Sequence, residues 1–173
     1  MKKSITLTTL LFAGGQLFAQ ENLLKVNEGF ETGKLGWYIP SDQANKLLIT
    51  EEAQHDGKYG LKILAGNGST KFYTQSSTNQ TFAIQSNKKY KLEFWIKTLQ
   101  KGHDITLEVY SENQPRSAQD VKAYLNMKPV KEGEWQLSEI EFNGFDSPKA
   151  KFALSINKGQ YLLDSFKLIE KKD

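Results

Sequence analysis

The chain contains no cysteine among its 173 residues. Disulfides, thiolate metal sites and a lipid-anchored cysteine are therefore excluded, and stability must come from a core or from a hard cation held by oxygens. Histidine is scarce: His55 and His103 are the only 2, and neither has a partner at metal-ligand spacing. Both read as exposed turn residues, His55 before Asp56-Gly57 and His103 after Gly102. A surplus of one charge is also missing. The formal net charge is +3, and removing Lys2 and Lys3 with no acidic residue lost leaves +1. No basic run resembles a nucleic-acid patch, and Lys171-Lys172 reads as a solvated tail. Beyond residue 20 no hydrophobic run approaches membrane-spanning length.

The first 20 residues carry the one long apolar stretch. Lys2 and Lys3 precede Ile5 to Ala13, and Leu17-Phe18-Ala19 resembles a small-residue cleavage site. This is the pattern of a secretory signal peptide, too short for a span. Cleavage near Ala19-Gln20 leaves residues 21–173 as a single domain, expected to be secreted, periplasmic or at the cell surface.

What is abundant is alternation. Tyr90, Leu92, Phe94 and Ile96 point one way, and Lys91, Glu93, Trp95 and Lys97 the other. Ile105, Leu107 and Val109 alternate with Thr106, Glu108 and Tyr110, and Phe152, Leu154 and Ile156 with Ala153, Ser155 and Asn157. Leu61-Lys62-Ile63 and Thr81 to Ile84 are shorter versions, and Gly and Asn punctuate the runs. Strands at this spacing predict an all-β, antiparallel β-sandwich. Ser117 to Leu125 fits either a short helix with a capping-box start or a strand.

Four motifs in order carry a resemblance. They are Asn27-Glu28-Gly29-Phe30-Glu31 with Gly36-Trp37, Asp56 to Ile63, Tyr90 to Lys97, and Tyr161 to Leu168. Together, from about Asn22 to Leu168, they resemble the CenC-like carbohydrate-binding modules of families four, nine and twenty-two. The resemblance implies a jelly roll of the galactose-binding-domain-like fold that binds a polysaccharide or oligosaccharide on its concave sheet face. Glu28 departs from the family's frequent proline. The resemblance favours a strand for Ser117 to Leu125, and packing roles for Trp37 and Trp135.

Two sites are expected. Parity turns Trp95 and Tyr110 away from the core, with Glu93 and Glu108 near them, while Tyr73 and Gln75 oppose Phe72 and Thr74 and can join the same face. Tyr124 and Asn126 are further possibilities. Aromatic rings meet the C–H faces of sugars, and carboxylates and amides meet their hydroxyls. The bland alternative is that a loop covers Trp95. The second site is a cation. Pairing of the first and last strands would bring Glu31 to Asp164, and two buried carboxylates repel unless an ion joins them. The resemblance implies a structural calcium at Glu31 and Asp164, with the backbone carbonyl of Lys58; the alternative is two surface carboxylates beside lysines.

Catalysis finds no support: no Ser, His and Asp lie in a nucleophile-elbow context, and a Glu93–Glu108 pair is what any alternating sheet yields by chance. The expectation is a non-catalytic carbohydrate-binding module. The alternatives are a structural or adhesion sandwich that binds a protein, or a glycoside-hydrolase-associated protein acting on glycosyl bonds.

Overall fold

The computed structural model describes residues 20–75, 80–102, 104–112, 120–125 and 131–172. Residues 1–19 of the leader, His103, residues 117–119 and Asn126 lie outside the described residues. Among the described residues nine strands run in the order β1 (Trp37–Tyr38), β2 (Leu47–Thr50), β3 (Gly60–Thr74), β4 (Phe82–Ile84), β5 (Lys89–Gln100), β6 (Ile105–Ser111), β7 (Val121–Leu125), β8 (Trp135–Asn143) and β9 (Ser147–Glu170). Among the described residues there is no α-helix, only short 3-10 turns at Ser41–Gln43 and Glu51–Ala53. The described end of the ambiguous stretch, Val121–Leu125, is a strand.

All pairings are antiparallel, and they divide into two ladders joined by the long strands β3 and β9. In the first ladder β2 pairs with the start of β3, which pairs with the end of β9, then β5, then β8. In the second, β1 pairs with the end of β3, which pairs with the start of β9, then β6, then β7. The passage between ladders occurs at one level, where Gly66 (φ 58°) faces Gly159 (φ 85°) and the β3–β9 register shifts. A side chain is disfavoured at such angles, so glycine lets both strands turn together.

Alternation decides which faces meet. Tyr90, Leu92, Phe94 and Ile96 are buried, and so are Ile105, Leu107 and Val109. Aromatic contacts cross between the ladders. Phe166 of the first packs on Phe72 of the second at 6.1 Å and on Trp37 at 5.3 Å, while Phe94 stacks on Phe166 at 5.2 Å. Trp37 is thus a core residue, 1 % exposed.

The first motif is folded by Asn27. Its side-chain amide donates to the carbonyls of Gly33 and Leu35, its Oδ1 accepts from Thr32 N, and its backbone carbonyl accepts from Trp37 Nε1 at 2.8 Å. The turn drives Phe30 (φ 62°) into the core and leaves Glu31 outside. The last motif docks on it. Phe166 N donates to Glu28 O, Leu23 N to Leu168 O, and Leu168 N to Asn22 Oδ1.

Candidate functional site

Two groups of side chains match the two expected sites, but the structure distributes them differently. Trp95 is in the first ladder, opposite Asp164 on β9 and Leu137 on β8. Tyr110 is in the second, opposite Lys151 on β9. β5 and β6 do not pair with each other. Each residue faces away from the core as parity requires, but on opposite outer surfaces of the sandwich. The expected shared face is corrected on that ground, and the nearness of Glu93 to Glu108 falls with it. Glu93 sits with Trp95 and pairs with Lys91 at 2.7 Å.

The expected exposure is corrected too. Tyr110 is only 2 % exposed, with Lys151 Nζ 5.5 Å from its ring centroid. Trp95 is half-buried because a loop lies on it: the His55 ring stacks on the indole at 4.0 Å and 14°. His55 also meets Trp135 edge-on at 5.2 Å. His55 is therefore a half-buried packing residue rather than an exposed turn residue. Trp135 packs on this outer surface, not in the core.

The loop is pinned by Asp164. Its Oδ2 accepts from His55 N at 2.8 Å and Asp56 N at 2.9 Å, and its Oδ1 from Ser165 N at 2.6 Å. Asp164 is fully buried. Burial pushes its carboxyl above the ordinary value, those N–H groups pull it down, and Glu31 adds to the rise. Ser165 (φ 53°) is an extra residue on β9, where the β5–β9 register shifts, and this bulge sets Asp164 beside the first motif.

Glu31 grips the same loop one step on, accepting from Lys58 N at 2.9 Å and Tyr59 N at 3.1 Å. Gly57 takes a left-handed φ of 72°, and its missing Cβ leaves room for Glu31 Oε1, which would stand 2.3 Å from one. A Cβ on Gly29 would lie 3.4 Å from Asp164 Oδ1 and 3.9 Å from Glu31 Oε1, so both carboxylates border one space. The Lys58 head is engaged elsewhere, 3.3 Å from Glu51. Among the described residues no lysine pairs with Glu31 or Asp164. Nor, among them, do three or more His, Asp or Glu converge as a metal cluster, so a cation here would need backbone oxygens as well. A carboxylate has about four acceptor positions, and the N–H donors do not fill them, so this donor set fits a hard cation. A cavity of about 680 Å³ opens beside it, bordered by Glu28, Glu31, Asp56 and Lys167.

The other expected residues converge on the outer face of the second ladder. Register places Tyr38, Tyr73, Ala153, Glu108 and Lys122 in one row across five strands. The next row is Lys71, Ser155, Thr106 and Tyr124. Small residues make the floor and tyrosines rise from it: Ala153 is buried, Tyr38 is 37 % exposed and Tyr124 58 %. Tyr38 and Tyr73 rings are 5.8 Å apart. Gln75 follows Tyr73 in parity, half-buried at the end of β3, its N–H on Gly36 O. Glu108 pairs with Lys71 and, at 3.8 Å, with Lys122.

A family model described as a carbohydrate binding domain matches residues 22–159. The chain belongs to this carbohydrate binding domain family. Solved structures agree on the fold. A family 16 carbohydrate binding module-2 shares 22 % identity over 86 % of this chain and 99 % of that one, with a TM-score of 0.59. The CBM22-1 xylan-binding domain of Paenibacillus barcinonensis Xyn10C shares 17 % over 90 % and 97 %, with a TM-score of 0.56. A putative sugar binding protein from Bacteroides thetaiotaomicron shares 15 % over 87 % and 100 %, also at 0.56. No curated protein matches the chain. Three lysines and Tyr38 were missed from sequence as members of the tyrosine face. For two of the lysines the signal was present: Lys71-Phe72-Tyr73 and Lys122-Ala123-Tyr124 each put lysine and tyrosine on one side of a strand.

Proposed function

We propose that this carbohydrate-binding module binds a polysaccharide or oligosaccharide across the outer face of the second ladder and does not cleave it. The observation that carries this reading is the row Tyr38–Tyr73–Ala153–Glu108, in which rings and a carboxylate border a floor of small side chains. Sugar C–H faces stack on the rings, and hydroxyls donate to Glu108 or accept from the lysines. Trp95 and Glu93 take no part, because they lie on the opposite surface, where His55 covers Trp95.

We further propose that Glu31, Asp164 and the Lys58 carbonyl hold a structural calcium, which would neutralise the two carboxylates and tie the first motif to the last. The leader pattern supports export, with cleavage near Ala19-Gln20.

The test is titration of a polysaccharide panel, beginning with xylan, against wild type, Tyr73→Ala and Tyr124→Ala. Each substitution should weaken binding by about 1–3 kcal/mol, the scale of losing a large apolar contact. Variants that bind a confirmed ligand as tightly as wild type would overturn the assigned face. Binding of nothing in the panel would favour the adhesion reading, and released reducing ends would make the protein an enzyme.

A further inference from the structure

The tyrosine face carries cations at the height of its rings. Lys71 Nζ lies 5.6 Å from the Tyr73 centroid, Lys122 Nζ 5.8 Å from that of Tyr124, and Lys151 Nζ 5.5 Å from that of Tyr110. All are within reach of the ring quadrupole, which attracts each ammonium over its ring. Two pairs lie within single strands, β3 and β7, and the third joins β9 to β6, so the arrangement recurs across the face.

The acids on this face do not cancel the lysines. Glu108 alone serves both Lys71 and Lys122, and it lies low between them with its side chain 14 % exposed. Asp120, at the margin beside Tyr110, accepts from Ser111 N at 2.9 Å. Glu112 is paired with Lys149 at 3.6 Å. Among the described residues Lys151 has no ion pair; its recorded partner is the Tyr110 ring. On the opposite outer surface Lys91 is held between Glu93 and Glu139, and Lys171 by Glu141.

We propose that the ligand is an anionic glycan, one bearing carboxylate or sulfate groups on its sugars. This rests on the glycan reading above and specifies its chemistry. A sugar stacked on Tyr73 or Tyr124 would bring its equatorial substituents beside Lys71 or Lys122, while Lys151, over the buried Tyr110, adds a charge to the same face. A neutral sugar offers that ammonium only hydroxyls; an acidic one offers a charge that the half-buried Glu108 cannot match. Lys151 is the main discriminator, since no carboxylate competes for it among the described residues.

The experiment compares the same backbone with and without charge: polygalacturonate against its methyl ester, and dextran sulfate against dextran. Wild type, Lys151→Gln and Lys122→Gln are measured at about 20 mM and about 0.5 M salt, where screening differs severalfold. Wild type should bind a charged member roughly tenfold or more tightly than its neutral counterpart, and salt should erase much of the difference. Lys151→Gln should lose most of that preference while keeping the wild-type fold by circular dichroism. Response to polygalacturonate marks the carboxylate source, and response to dextran sulfate alone the sulfate source. Equal binding of charged and neutral members overturns this inference and leaves the glycan reading standing. Charged binding that neither lysine substitution reduces shows adsorption elsewhere and also overturns it. Binding of no glycan in this set or in the wider neutral panel overturns the glycan reading itself.

Discussion

Asp164 is a carboxylate buried against its own loop, with backbone N–H groups on both oxygens and no cationic side chain paired to it among the described residues. Its carboxyl is raised, chiefly by burial. The folded state therefore prefers the protonated form. That stabilisation is fully present below the ordinary value of 3.8 and is lost as pH rises through the raised one. In chelator, the melting temperature of wild type relative to Asp164→Asn should accordingly fall as pH rises toward neutral. Calcium should act in the opposite sense, since it binds only the charged carboxylates. At a hundredfold excess over its dissociation constant it would add about 2.7 kcal/mol at neutral pH. Asp164→Asn should remove most of that gain. A wild-type melting curve indifferent to calcium and chelator would dismiss the ion. Glu31 and Asp164 were legible as partners because each sits in a motif at one end of the chain. The bulge at Ser165 and the grip on Lys58 N and Tyr59 N were not, since no local pattern reports where a loop will close.

At the scale of strands, parity was readable and adjacency was not. β5 and β6 follow each other in sequence, and their alternation is as expected, yet β9 pairs with both and separates them into different ladders. Trp95 therefore belongs with His55 and Trp135. Trp95→Ala should leave glycan binding at wild-type strength and should lower stability by about 1–3 kcal/mol through the lost stack and burial. Parallel titration and chemical denaturation of this variant would check both parts. A binding loss as large as that of Tyr73→Ala would return Trp95 to the glycan site. The same logic explains why Tyr110 is buried: parity gives a direction from the strand, and cross-strand neighbours such as Lys151 decide what lies over it.

For the whole molecule, the two ladders share one core through Phe166, which touches Phe30, Phe72, Phe94 and Trp37. Phe166→Ala should cost about 3–5 kcal/mol, the usual range for a buried phenylalanine, and should shift one cooperative transition rather than split it. Two separate transitions in thermal melting would show that the ladders hold independently. The all-β character, the antiparallel pairing, the core faces of the main strands and the four motifs were determined by the sequence, because side-chain period and turn residues are local properties that each strand expresses by itself. Only the tertiary structure decided that Tyr38, Tyr73, Glu108, Lys122 and Tyr124 share a surface, and that His55 closes over Trp95. Those outcomes depend on which strands become neighbours, and that is fixed by the long-range pairing of β3 and β9, far apart in the chain and joined across both ladders.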